Sequence, residues 1–311
     1  MKINTTLDQL LNTYWLRPET ALWRQIDMTA MQGFSFKSPS LDLGCGDGNF
    51  SFIRAGGCFS KEFDAFQSIS NLGKFFKNAD VFNSSGLKGK PVITRKPNYK
   101  IDWAFDQKKN LLARAASLGF YRNFELGDAN KPLPFPNQTF RSLFSNIVYW
   151  LDNPAFVIKE IARVLKPRGQ ACLMLPNTTL AEFSFYNQLY LKTGKQEWAF
   201  LSKLDRGRFS ENIKQVKTAK NWEALFSLAG LKVKTHKRHL SKTVVQMWDI
   251  GLRPLFPVLY KMVDSLKPNQ LGVIKNEWVS ILKNFLEPLA RMDNRLGQGI
   301  DPAFHCYILE K

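Results

Sequence analysis

Much that would narrow the function of this 311-residue chain is missing from it. There are only four cysteines, Cys45, Cys58, Cys172 and Cys306, and three histidines. No CxxC pair and no Cys/His cluster has metal-ligand spacing, so no metal site is expected. Thiols scattered in this way suit a reducing cytoplasm rather than a disulfide framework. No run of eighteen apolar residues occurs, which excludes a transmembrane helix. The opening stretch MKINTTLDQLLNTYW lacks the apolar core of a signal peptide. A cytoplasmic location follows as an expectation, with peripheral contact at a membrane left open. Acidic residues are also scarce, 26 against 44 basic, giving a net charge of +18. Such an excess favours an anionic partner: nucleic acid, an acidic membrane surface or a phosphorylated small molecule. The alternative is a solvated basic surface with no specific partner.

What is present is apolar and patterned. Hydrophobic residues make up 44% of the chain and aromatics 13%, which excludes disorder and allows a full core. Leu7, Leu10, Leu11, Tyr14 and Trp15 follow helical spacing, and a second, Trp-containing segment covers 20–31. From about residue 40 strands and helices alternate. Tyr99, Ile101, Trp103 and Phe105 alternate as in a strand, and Leu111, Leu112, Ala115 and Leu118 form a helical stripe that Gly119 ends. Short strands follow around Phe124 and Leu126 and over 140–148. Asn153-Pro154 opens the next helix, which Pro167 and Gly169 end before a strand over 170–175. A stripe from Trp222 to Ala229 precedes the last two strands, 231–236 and 304–309.

This order predicts an α/β fold with a doubly wound, mostly parallel seven-stranded sheet and helices on both faces. Residues 1–39 read as an N-terminal helical segment. The core spans 40–177, 220–240 and 303–311, interrupted by an insertion at 55–97. Residues 178–219 and 241–302 read as mainly helical insertions that cap the sheet's C-terminal edge and recognise the substrate.

The strongest local signal is Leu41-Asp42-Leu43-Gly44-Cys45-Gly46-Asp47-Gly48, where an apolar strand runs through a glycine-rich turn into a helix. The dinucleotide fingerprint GxGxxG is broken, because the third glycine comes two positions after the second. With its acidic residue two positions before the first glycine, the stretch resembles the first motif of the class I, Rossmann-like methyltransferases. The resemblance continues in order through FDQKKNLLARAASLGFY (105–121), FELGDANKPLPF (124–135), FRSLFSNIVYWLDN (140–153), EIARVLKPRGQACLMLPN (160–177) and WEALFSLAGLKV (222–233). Arg168 departs from it, standing where that family usually has glycine.

The resemblance implies S-adenosylmethionine as cofactor. It places Gly44, Cys45, Gly46 and Gly48 against the methionine part and ribose, and Asp42 in the ordering of the loop. Asp106 would accept both ribose hydroxyls, with Asp102 as the rival. Asp128 would accept from the adenine amino group beside the Ala129 amide. Ser145 and Asn146 would stand near the methyl path. Trp15, Arg17 and Trp23 either close over the cofactor or belong to a packed helix.

Methyl transfer from a sulfonium is an in-line displacement that needs positioning more than a protein nucleophile. A general base helps when the acceptor carries a proton. His236, His239, His305 and Tyr149 are the candidates. The absence of an Asn/Asp-Pro-Pro-aromatic tetrad after the fourth strand, and of any Pro-Cys, speaks against DNA base methylation. The acceptor expected is a small-molecule or lipid/glycan-linked compound, anionic or partly apolar. Lys232, Lys234, Lys237 and Arg238 are expected to rim its pocket, joined by the basic tract 203–220. The aromatic segment 248–263 reads as a cap helix lining an apolar pocket or as a membrane-touching surface. The alternatives are an RNA methyltransferase and a non-catalytic cofactor-binding protein.

Overall fold

The structure is a computed structural model and describes residues 3–65, 90–199, 212–252, 255–296 and 300–311. Most of the 55–97 insertion, and residues 203–211 of the basic tract, lie outside the described residues.

The strands are β1 (Ser40–Leu43), the short antiparallel pair β2 (Cys58–Phe59) and β3 (Ile93–Arg95), β4 (Ile101–Asp106), β5 (Tyr121–Leu126), β6 (Phe140–Ser145), β7 (Leu165–Pro176), β8 (Lys232–His239) and β9 (Phe304–Glu310). All except β2 and β3 form one seven-stranded sheet in the order β5-β4-β1-β6-β7-β9-β8. Pairing is parallel from β5 through β7, whereas β9 runs antiparallel to both of its neighbours. The central strands are buried on both faces: every residue of β1 and all of β6 except Arg141 are buried, the polar Ser40, Asp42, Ser142 and Ser145 included. The edges differ. On β5, Phe124 and Leu126 are exposed, and β8 carries Lys232, Lys234, Lys237 and Arg238, charges that discourage edge-to-edge pairing.

The helices are α1 (Ile3–Thr13), α2 (Pro18–Ala30), α3 (Asn49–Arg54), α4 (Lys109–Ser117), α5 (Pro154–Val164), α6 (Thr179–Phe183), α7 (Phe185–Thr193), α8 (Ala219–Leu228), α9 (Lys242–Met247), α10 (Leu255–Asp264) and α11 (Pro268–Leu296). A π-helical turn, Trp248–Leu252, leads from α9 toward α10. Local chemistry explains several boundaries. The Asn153 side chain accepts from the Phe156 amide at the start of α5, with Pro154 in the first helical position. Thr218 caps α8 in the same way.

The two faces of the sheet are covered differently. On one face α2 lays Trp23 against Phe304, with ring centroids 5.3 Å apart. On the other, α8 packs Phe226 against Tyr307 at 5.0 Å, and the Trp222 indole donates to the Pro176 carbonyl. The N-terminal helices are tied to α11: the Trp278 indole donates to the Trp15 carbonyl, and Lys283 pairs with Asp8. Trp15 and Arg17 are buried, Arg17 against Glu19, so both belong to a packed helical layer.

Helix α5 ends at Val164, before Pro167, and β7 is longer than its predicted 170–175 core. Within that stretch Arg168 has φ of +60°. Left-handed backbone disfavours a residue with a Cβ by roughly 1–2 kcal/mol, partly offset by the extra chain entropy of glycine. Arg168→Gly is therefore expected to stabilise the chain by about 0.5–1 kcal/mol, raising the thermal midpoint by about 2 °C. A midpoint that falls in a calorimetric scan contradicts this.

Candidate active site

Strand order reverses between β1 and β6: from β1 the chain builds outward to β4 and β5, then crosses to β6 and β7. In open α/β sheets the crevice beyond the carboxyl ends of the strands at such a reversal is where ligands bind. Here that crevice receives the glycine turn after β1, Asp106 at the end of β4, and Asn146 after β6.

The turn is fixed by its own backbone. The amides of Gly44 and Cys45 both donate to the Phe105 carbonyl, and the Gly48 amide donates to the Cys45 carbonyl. Gly44, Gly46 and Gly48 all have positive φ, which a side chain disfavours. A Cβ on Gly44 would stand 2.5 Å from Ile147, and one on Gly48 would stand 2.9 Å from Tyr121. A Cβ on Gly46 would meet nothing within 4 Å. That opening leaves the Gly46 backbone free for close approach by a ligand.

Asp106 faces this opening. One carboxylate oxygen accepts from the Gly46 amide and the other from the Lys108 amide, each at 2.9 Å. Lone pairs remain on both oxygens for a ligand's hydroxyls. Burial raises its pKa against those amide bonds. The rival Asp102 is committed elsewhere, accepting from the amide and hydroxyl of Ser40 at the start of β1.

Asp42 is buried below the turn and accepts from the Ser51 hydroxyl (2.6 Å) and the Tyr121 hydroxyl (2.7 Å), which ties β1 to α3 and β5. Burial pushes its pKa up to about 6, outweighing both hydrogen bonds. Burial likewise raises Asp47, which holds the side chain and amide of Asn49 at the start of α3, and keeps the Cys45 thiol protonated.

Asp128 is half-buried after β5 and accepts from the Asn130 amide and side chain, while Ala129 beside it is buried. Ser145 is fully buried and accepts from the Ile147 amide. Asn146 instead lines a pocket next to the turn. The pocket's apolar walls are Trp23, Met174, Trp248 and Phe304. Its polar groups are Thr20, Arg24, Asp27, Asn146, Tyr149 and Asn212. Of the candidate bases, only Tyr149 is among these residues.

The histidines divide by the pleat. Phe304 and His239 are in register and share the pocket face of the sheet, whereas His305 and His236 point to the opposite face. There the His236 ring stacks on Tyr307 at 4.2 Å, and its Nε2 meets His305 Nδ1 at 2.9 Å. Burial lowers the pKa of both, His305 to about 3. Neither reaches the pocket, which corrects the expectation for these two. His239 is buried behind the pocket wall, with Nε2 3.1 Å from Asp27 Oδ1. Burial pushes its pKa down, but the bond and charge of Asp27 outweigh that and hold it above the ordinary value.

The expected basic rim does not form. Lys232 and Lys234 stand near Glu310, at the end of the sheet away from the pocket, and Lys234 pairs with that residue. The Lys237 ammonium donates to the Gln32 carbonyl, and Arg238 pairs with Asp301. Sequence reasoning also missed Arg24, Asp27 and Asn212, whereas Trp248 opens the aromatic segment expected to line a pocket. Helix α2 and the π-helical turn carry no motif; only tertiary packing brings them to the crevice. Among the described residues, no group of three or more His, Cys, Asp or Glu side chains forms a metal site.

Residues 94–173, about a quarter of the chain, match the family model for a methyltransferase domain. The matched stretch contains Asp106, Asp128 and Asn146. With the strand order above, it decides the assignment. The chain carries a methyltransferase domain on a Rossmann-like sheet. Its methyl donor is S-adenosylmethionine. No curated protein sequence matches the methyltransferase. Solved structures resemble it loosely. The [4+2]-cyclase SpnF is 16% identical, with 94% of this chain and 82% of that chain covered and a TM-score of 0.46. An S-adenosylmethionine-dependent methyltransferase from Mesorhizobium loti is 13% identical, covering 93% and 97%, at 0.44. Another from Thermotoga maritima is 15% identical, covering 72% and 78%, at 0.41. At these TM-scores the assignment rests on the family model and the strand order instead.

Two outcomes follow for the methyltransferase. Gly46→Ala is expected to fold with a loss of only about 1 kcal/mol, from backbone conformation. It should still lose S-adenosylhomocysteine binding at least tenfold by calorimetry. Gly44→Ala should lose several times more stability, because its Cβ overlaps Ile147. Equal stability losses would contradict the geometry. The second outcome concerns Asp42. An acid whose pKa is raised by folding stabilises the fold below its unfolded pKa and loses that contribution as pH rises through the folded one. From the ordinary value near 3.8 to about 6, the window is roughly pH 4 to 7. Asp42→Asn should therefore gain about 2–3 kcal/mol relative to wild type between pH 4 and pH 7, read from denaturant midpoints. A constant difference across that range rejects the burial argument.

Proposed function

We propose that the chain transfers a methyl group from S-adenosylmethionine to a small-molecule or lipid/glycan-linked acceptor held in the pocket between α2, the segment after β6 and the π-helical turn. The observation that carries this reading is the adjacency of that pocket to the open glycine turn, with Asn146 at their junction.

When bound, S-adenosylmethionine supplies an electrophilic methyl group on a positively charged sulfur. The chain's own residues fit it: the open Gly46 backbone would cradle it, Asp106 would take its ribose hydroxyls, and Asp128 with the Ala129 amide would hold the adenine. The buried carboxylates at 42 and 106 and the half-buried one at 47 give the crevice a negative field suited to a cation. Trp23, Trp248 and Phe304 would hold an apolar body and exclude water from the reacting centre. Asp27 is the one carboxylate among the pocket's lining residues. Backed by His239, it is placed to take the proton that an O–H or N–H acceptor loses, and Asn146 and Tyr149 face it from the segment after β6.

An acceptor presented at a lipid surface is a second form of this reading. Ile250 on the π-helical turn, Leu255, Val258 and Met262 on α10, and Ile281 and Phe285 on α11 are all exposed. Apolar surface of this kind marks interaction sites, and the basic excess suits acidic lipid. No described helix is long and apolar enough to cross a membrane.

The test is transfer of labelled methyl into fractionated extract of the source cells. Label is expected in a small-molecule or lipid fraction, reduced at least tenfold by Asp106→Ala, whose S-adenosylhomocysteine affinity should fall in parallel. Label that ribonuclease removes would replace this acceptor class with RNA.

A further inference from the structure

The pocket contains one cation with unused capacity. Arg24 of α2 lines it, and its guanidinium makes a single hydrogen bond among the described residues, from Nη1 to Asp27 Oδ2 at 3.4 Å. A guanidinium has five N–H donors, so four are unspent. The side chain is only 18% exposed, so water reaches it sparingly. None of its nitrogens is a fully buried atom lacking a partner, so the unspent donors open into the pocket, where a ligand can take the place of water.

Its position is fixed from two sides. Below, the guanidinium lies over the Phe50 ring, 5.1 Å from the centroid, one residue into α3 beyond the glycine turn. On one flank Asp27 holds it and is itself held by buried His239. Its charge also reaches Asp47 in the turn, after the larger effect of Arg114. Packing of this kind holds the planar group ready for a planar oxyanion, which an arginine can bind through two parallel hydrogen bonds. Asp27 and Asp47 offset part of the charge, which favours a singly charged carboxylate over a phosphate dianion.

We infer that Arg24 is the carboxylate anchor of the site. Resting on the methyl-transfer reading above, this deepens it by naming a group the bound molecules must carry. The carboxylate comes either from the amino-acid end of the methyl donor or from the acceptor, since Arg24 stands between the glycine turn and the pocket. Its planar fork, rather than charge alone, makes the site selective.

Calorimetric titration of the full chain separates the sources. The probes are S-adenosylhomocysteine and 5′-deoxy-5′-methylthioadenosine, which keeps the adenosine and thioether but lacks the amino-acid end. For a donor carboxylate, Arg24→Met weakens S-adenosylhomocysteine about ten- to hundredfold and leaves methylthioadenosine unchanged, while Arg24→Lys recovers only part of the loss. Unchanged methylthioadenosine affinity also shows that the variant has folded. For an acceptor carboxylate, both affinities stay at wild-type level, and labelled methyl transfer into the anion-exchange-retained fraction of extract falls at least tenfold in Arg24→Met. Wild-type values for both affinities and for that transfer overturn the assignment while leaving the methyl-transfer reading intact. A wild-type chain that binds neither probe overturns both.

Discussion

The hydrogen bond from the Gly46 amide to the Asp106 carboxylate holds the crevice together. It joins the turn after β1 to the end of β4, and the bonds from Gly44 and Cys45 to Phe105 reinforce the same junction. Parallel pairing alone aligns the two strands without fixing where the turn goes. Once Asp106 grips the turn, the open side of Gly46 faces the crevice. The negative charge meant for a ligand then sits beside the backbone the ligand must approach. Structure and site thus share one interaction, and Asp106 spends lone pairs on the fold while keeping others for chemistry.

That arrangement concentrates carboxylates where water is scarce. Asp42, Asp47 and Asp106 lie within one short stretch of backbone and strand end, and burial raises the pKa of each. Hydrogen bonds from Ser51, Tyr121 and backbone amides lower the cost without removing it. Their burial is a cost the rest of the core must offset, and a bound cation lowers it. The preference for a positively charged donor is therefore built into the fold before the donor's shape matters.

Much of this was legible from the chain. The alternation of periodicities gave the seven strands and their mostly parallel order, and the phase of Leu111, Leu112 and Ala115 selected Asp106 over Asp102 despite the 58 positions separating Asp106 from Gly48. The histidines were not legible, because what separates His239 from His236 is the pleat of β8, including a register shift between Val233 and Thr235. One residue of phase decides which face a side chain meets. Arg24 and Asp27 escaped for another reason. Helix α2 reads as an ordinary amphipathic segment, and nothing local records that one side of it closes a crevice whose other walls come from the turn after β1 and the ends of β4 and β6.

The same distinction resolves the charge. A net +18 predicts an anionic partner only if the cations converge, and those of β8 do not. They are spread along an edge strand, where Lys234 and Arg238 meet acids and Lys237 a carbonyl. In that place positive charge keeps a sheet edge solvated and unpaired. Inside the crevice the balance is reversed, with Asp42, Asp47 and Asp106 about the turn and Arg24 as the one arginine lining the pocket. Electrostatic steering by the surface and recognition by the site are therefore separate properties of this chain, and the sign of one says nothing about the other. A ligand suited to the crevice carries a positive centre for the carboxylates and one negative group for Arg24, whatever the surface attracts.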